Sequence, residues 1–199
     1  MPTRRTMLSG LAAVTWMITG GIAMADTELE AVDGDGRTPL LIATRANDVE
    51  AARALITAGA DVNAKDRISD TPFLYAGAEG RLEILRLILA TGKANLADTN
   101  RYGGNALIPA AHHGHPETVR ELLKTKIAID HVNRLGWTAL LETIILTDGG
   151  PVHQDILAQL IAAGADVNLA DGEGVNPLTH ARQRGYAEMV QMLEKAGAR

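Results

Sequence analysis

Three imidazoles within four positions, His112, His113 and His115, are the side chains of this 199-residue sequence with the clearest capacity for chemistry. Histidine is common zinc-ligand material, so the cluster, with His153 further along, would suit metal-assisted hydrolysis. The spacing works against it. Adjacent residues on a helix point about 100° apart, so His112 and His113 cannot close one site without a third donor. No Gly-x-Ser-x-Gly elbow, Gly-Lys-Ser/Thr phosphate loop or His-Glu-x-x-His helix occurs, and no paired carboxylates call for acid–base work. Cysteine is absent, which removes disulfides, thiolate ligands, thiol nucleophiles and lipid attachment through cysteine. The expectation is a protein that is not an enzyme, with no catalytic residue, no metal and no cofactor. A metal-dependent small hydrolase using His112 and His113 stands as the alternative.

The segments that would position these side chains repeat. Asp33-Gly34-Asp35-Gly36-Arg37-Thr38-Pro39-Leu40 recurs at Asp66 to Phe73, Asn100 to Leu107, Asn133 to Leu140 and Asp171 to Leu178. From Thr38 the steps are 33 residues to Thr71, 34 to Asn105, 33 to Thr138 and 38 to Asn176. A second landmark, Gly59-Ala60-Asp61-Val62-Asn63, returns unchanged at Gly164 to Asn168. Each unit reads as two helices. Thr38 and Thr71 stand at N-cap positions with Pro39 and Pro72 in the first turn, where a missing N–H costs nothing. Gly80, Gly114 and Gly185 end the first helix, and runs such as Leu82 to Leu89 give the second a buried stripe, predicting Leu85 and Leu122 in the core. With six aromatics in the chain, that core must be aliphatic. A unit this short cannot bury both faces alone, so its neighbours must stack on it.

At these residues the sequence resembles the ankyrin repeat family, from Asp33 to Arg199. The resemblance implies an all-α solenoid of helix-turn-helix units with β-hairpin-like tips. The units are expected at about 33–65, 66–99, 100–132, 133–170 and 171–199, behind a short N-terminal cap segment, 26–32. The fourth carries about five extra residues between its helices, around Leu146 to Asp155; Glu194 and Lys195 read as a polar finish to the fifth. Asp61, Asn63, Asp166 and Asn168 recur in the linkers and are expected to tie loops together. His115 falls where the family favours a histidine after the turn glycine, held by loop hydrogen bonds.

In such stacks the tips and exposed inner-helix positions bind other proteins. The resemblance therefore assigns partner binding to Arg67, Ile68, Tyr75, Arg101, Tyr102, His112, His113, Arg134, Leu135 and Trp137. The tip residues among them form a row in which Arg alternates with apolar or aromatic groups, and Arg, Tyr and Trp are the types that most often dominate interface energetics. The partner is another protein of unspecified identity, and the chain is expected to be a monomer.

Residues 1–25 read as a signal peptide: Arg4 and Arg5, a mildly apolar stretch from Met7 to Ile22, and Ala23-Met24-Ala25 as a cleavage site. The stretch falls short of the roughly 20 strongly apolar residues of a membrane span, so no membrane association is expected after cleavage. Paired arginines suit twin-arginine export as well as the general route. The destination expected is the periplasm, or the outside of the cell for a host-directed effector. Cleavage leaves 24 acidic against 17 basic residues, deepening the charge from −5 to −7. Such a domain suits no generic nucleic acid, and by net charge a basic partner surface would complement it.

Overall fold

The computed structural model describes residues 26–199; the signal peptide expected at 1–25 lies outside the described residues. A short helix α1 (Asp26–Leu29) precedes five helix pairs: α2 (Pro39–Ala46) with α3 (Val49–Ala58), α4 (Pro72–Ala78) with α5 (Leu82–Ala90), α6 (Leu107–His112) with α7 (Pro116–Leu123), α8 (Ala139–Ile145) with α9 (Pro151–Ala162), and α10 (Pro177–Arg184) with α11 (Ala187–Lys195). The first members pack on one another in sequence order to form an inner row, and the second members form an outer row behind it. Among the described residues there is no strand.

The inner helices begin where their caps dictate. Thr38, Thr71 and Thr138 Oγ1 accept from the backbone N–H of Leu41, Leu74 and Leu141 at 3.3, 3.0 and 3.2 Å, and Asn176 Oδ1 accepts from Thr179 at 2.8 Å. Each cap is worth about 1 kcal/mol. The third unit departs from this. Asn105 Oδ1 accepts from Leu107 at 3.1 Å while its amide donates to Ala128 O at 2.9 Å, and α6 starts at Leu107 with a proline, Pro109, inside its first turn.

Between the rows lies one continuous aliphatic core. Phe73, Leu85, Leu107, Leu122, Leu140, Ile144 and Ile156 are fully buried within it. At the N-terminal end Leu29 is buried against the first unit, and Glu30 accepts from Asp61 N–H at 2.9 Å, so the short segment docks as a cap. In the linkers Asn63 donates to Lys93 O at 2.9 Å and accepts from Asn95 N–H at 2.8 Å, and Asn168 makes the same pair of contacts with Gly197 and Arg199. The extra residues of the fourth unit divide: Leu146 to Gly150 form the turn, and those from Pro151 lengthen α9 to 12 residues.

Each tip is a five-residue loop closed by its own first residue. Asp33, Asp66, Asn100, Asn133 and Asp171 each accept two backbone N–H bonds through one side-chain oxygen, from the residues two and four further on, at 2.8–3.1 Å. The backbone N–H of the same residue donates to the carbonyl four residues on. This is the local side-chain turn that Asp and Asn favour.

Candidate functional site: a groove and a cationic ridge

With the tips closed on their own backbones, the side chains at their second and third positions are free to face outward. In the middle three units these are Arg67 and Ile68, Arg101 and Tyr102, and Arg134 and Leu135. The ridge they form has two flanks. On the inner flank lies a groove of about 540 Å³ along the inner helices, lined by Ile68, Tyr75, Arg101, Tyr102, His112, His113 and Leu135 among others. On the outer flank lies a notch of about 420 Å³ lined by Lys65, Arg67, Ile68, Arg101 and Arg134, with Ser69, Thr99 and Asn100. The groove thus collects seven of the ten residues assigned from sequence, and the notch holds Arg67 and Arg134. Trp137 lies in neither. It is half-buried at the fifth position of its tip, where its backbone N–H is spent on Asn133.

The groove wall is apolar and exposed. Ile68 is 47 % exposed, Tyr102 and Leu135 each 56 %, and Leu146, in the fourth-unit turn, completes the line. Sequence reading passed over Leu146 because it sits in the insertion. Its register, eight residues after the cap Thr138, matches Glu79 and His113 and would have placed it here. Lys65, in the notch, was also missed; it pairs with Asp98 at 3.1 Å.

The groove floor carries charges of both signs. Asp70 is flanked by Arg45 at 3.5 Å and Arg101 at 3.6 Å, yet half-burial and the neighbouring Asp66 push its carboxyl above the ordinary value against the pull of the two arginines. The Arg45 guanidinium stands over the Tyr75 ring at 4.5 Å, and Arg101 lies 5.0 Å from Tyr102, geometries suited to cation–π attraction. Glu142 is buried, only 6 % exposed, and accepts from Asn133 Nδ2 at 2.7 Å; burial raises its carboxyl despite that bond. His180, at the same register in the fifth unit, meets Asp171 at 2.7 Å. The first tip residue is therefore an amide donor where the inner helix carries a carboxylate, and a carboxylate where it carries an imidazole.

The histidines are largely occupied by the fold. His113 Nδ1 lies 2.7 Å from Ala78 O and His153 Nε2 lies 3.1 Å from His112 O, so each ring nitrogen must donate. The His115 ring rests on Gly80, where a methyl group would come within 2.6 Å of it. His112 Nδ1 is 3.6 Å from Glu142 Oε2, and burial, then its His113 and His153 neighbours, hold its ring below the usual imidazole value. Among the described residues no three His, Asp or Glu converge as ligands for a metal ion.

Helix pairs repeated in register, stacked in two rows with closed tips on one edge, define a repeat solenoid that exposes Ile68, Tyr102, Leu135 and Leu146 along its inner-helix side. The chain belongs to the ankyrin repeat family: residues 7–100 and 73–171 match the family of ankyrin repeats in three copies. It is 40 % identical over 172 residues to the putative ankyrin repeat protein YahD of Escherichia coli (strain K12), covering 86 % of this chain and 85 % of that one. A crystal structure of an ankyrin repeat domain from Acinetobacter baumannii AYE superposes with a TM-score of 0.85 at 57 % identity, over 88 % of this chain and 89 % of that chain. The ankyrin repeat protein EF0377 superposes at 0.82 with 46 % identity over 84 % of each. Such repeats make the chain a protein–protein interaction module.

Proposed function

We propose that the protein works in the periplasm, where it binds a folded partner protein through the groove and ridge and thereby protects or inhibits it. The observation that carries this reading is the exposed line Ile68, Tyr102, Leu135 and Leu146 along one concave face. Four of the eight large exposed apolar side chains among the described residues are gathered on this one face, and such a patch is the signature of a contact site. The floor beneath them is rigid, because Tyr75, Asp70, Arg45 and Glu142 are already tied to one another or to the tips, so little ordering cost is added on binding. The Arg4-Arg5 leader and the Ala23-Met24-Ala25 site support the location.

Affinity capture from a periplasmic extract of the producing cell tests the reading. The protein should retain one dominant folded partner. The combined substitution Tyr75→Ala, Tyr102→Ala and Leu135→Ala should abolish retention while cooperative unfolding persists. Undiminished retention would reject the groove. Location is checked separately by fractionation: full-length protein kept in the cytoplasm with its leader uncleaved would reject the periplasmic assignment.

A further inference from the structure

The tips are not alike, and the way they differ restricts what can lie on them. Counting from the first residue of each tip, the second position reads Gly34, Arg67, Arg101, Arg134, Gly172, and the third reads Asp35, Ile68, Tyr102, Leu135, Glu173. The middle three units each carry a cation beside an apolar group. The outer two carry glycine beside a carboxylate. In a chain of net charge −5, the cations at the second tip position are thus gathered on one short stretch of ridge, between a first tip whose Asp35 is paired with Arg37 and a last tip that carries Glu173.

The cations are also placed rather than scattered. Arg67 and Arg134 donate their backbone N–H to Asp35 O and Tyr102 O of the preceding tips at 3.1 and 3.0 Å. Their stems lie across those tips, so close that a methyl group on Gly36 would stand 3.2 Å from Arg67 Cγ and one on Gly103 2.9 Å from Arg134 Cγ. Arg134 Nη1 donates to Arg101 O at 2.7 Å. Among the described residues neither Arg67 nor Arg134 has a carboxylate partner, in contrast to Arg37, Arg45, Arg86 and Arg101. Two positioned guanidiniums therefore face the notch with donors to spare, and a third, Arg101, borders both notch and groove.

We infer that the ridge of the three middle tips receives an extended acidic segment of the partner protein, whose carboxylates meet Arg67, Arg101 and Arg134 in the notch while apolar side chains next to them enter the groove beside Ile68, Tyr102 and Leu135. This rests on the groove reading above and adds the chemistry of the partner. It reverses the expectation from net charge, because the local field at the contact is positive although the whole domain is acidic. Packed helices lie about 8–10 Å apart, which sets the step between successive tips. A polyproline II segment returns to the same face every three residues, at about 3.1 Å per residue, so acid–apolar pairs three residues apart match that step. Beyond the third pair no cation is on offer at these positions: Asp35 is already paired with Arg37, and Glu173 repels a carboxylate, which limits the length of the segment and sets its register. The planar fork of arginine makes carboxylate contacts bidentate and geometrically selective.

The test uses the full-length purified protein and fluorescein-labelled peptides of three Glu-Leu-Pro triplets, with Gln-Leu-Pro and Lys-Leu-Pro counterparts, read by fluorescence anisotropy. The Glu peptide should bind about tenfold or more tighter than the Gln peptide, weaken as salt is added, and lose that advantage on the combined change Arg67→Gln, Arg101→Gln, Arg134→Gln. A fourth triplet should add nothing. Gly172→Arg with Glu173→Leu extends the row by one tip, and a side chain there has room, since a Cβ would meet only Gly136 Cα at 3.9 Å; this variant should bind four triplets tighter than three. Equal binding of the Gln or Lys peptide, unchanged affinity in the triple glutamine variant, or tighter binding of a single-stranded oligonucleotide overturns the inference. If the triple glutamine variant still retains the folded partner while the Tyr75, Tyr102, Leu135 variant does not, the acidic segment falls and the groove stands.

Discussion

The two edges of the stack use their side chains in opposite ways. Along the turn edge, where inner helix gives way to outer helix, the third, fourth and fifth units reach back and consume polar ends on the unit before. His113 donates to Ala78 O at 2.7 Å, His153 to His112 O at 3.1 Å, Arg184 to Ile145 O at 2.8 Å and the Tyr186 hydroxyl to Thr147 O at 2.6 Å. Ala78, His112 and Ile145 end α4, α6 and α8, so most of these bonds satisfy carbonyls that a helix C-terminus leaves orphaned. Along the tip edge the loops close on themselves through Asp33, Asp66, Asn100, Asn133 and Asp171 and are joined by a few bonds from Arg67 and Arg134 to the preceding tips, while the apolar ends are exposed and neither Arg67 nor Arg134 has a carboxylate partner among the described residues. Contacts between units are concentrated on the first edge, and the recognition we propose falls on the second.

The largest test of that division is at the joint between the fourth and fifth units. Gly149 has φ +69°, and a methyl group there would lie 2.6 Å from Cγ of the Tyr186 ring packed on it. Gly149→Ala combines a left-handed alanine with overpacking and should cost about 3 kcal/mol in urea unfolding. Gly164→Ala is the control: its φ is +94° but nothing lies within 4 Å, so only the backbone cost of about 1–2 kcal/mol should appear. Equal losses would mean that the Tyr186 ring yields and that the turn edge is no joint.

A change on the tip edge should move stability less and in the other direction. Ser69 has φ +67° where the other tips place Gly36, Gly103, Gly136 and Gly174. A left-handed non-glycine residue is strained, so Ser69→Gly should stabilise by about 1 kcal/mol. The three tip arginines, by contrast, should each change stability by no more than about 0.5 kcal/mol on replacement by Gln, because they are exposed and outside the core. A larger loss would show that the ridge is framework.

The framework was legible because it is written in spacing. Thr38 and its counterparts Thr71, Asn105 and Thr138 recur every 33 or 34 residues, with one longer step of 38 to Asn176, and periodicity of apolar residues assigns Leu85 and Leu122 to the core whatever the partner is. Asn63 and Asn168 were legible as ties for the same reason. The site was legible only as positions. Sequence register puts Arg101 and Tyr102 on a tip, but it cannot show that the Arg101 guanidinium lies over the Tyr102 ring and reaches toward Asp70, so that Arg101 borders both flanks of the ridge. Nor could it show that the half-buried Trp137 lines neither flank, or that His113 is engaged with a carbonyl 35 residues away. Those facts depend on how one unit is set on the next, and no single repeat encodes that.

The smallest effect comes from acid, and it should fall on one edge alone. Burial holds the His115 ring below the usual imidazole value of 6.5, with the nearby His113 acting in the same direction, and burial does the same for His112. A group with a depressed folded pKa binds fewer protons folded than unfolded. The stability it contributes is therefore complete above 6.5 and lost as the pH falls through the folded value. Asp70 and Glu142 act oppositely: their carboxyls are raised, so what they contribute is complete below their ordinary values of 3.8 and 4.5 and lost as the pH rises. Comparing His115→Gln with the parent removes that opposing background. The variant loses packing on Gly80 and should be less stable at pH 7.5, yet its urea midpoint should change less between pH 7.5 and 5.5 than the parent's. Arginine keeps its proton throughout this range, so acid should loosen the turn edge while the tips stay charged. A parallel pH slope in the two proteins would mean that the His115 ring opens to solvent without unfolding and that its place over Gly80 is not a joint.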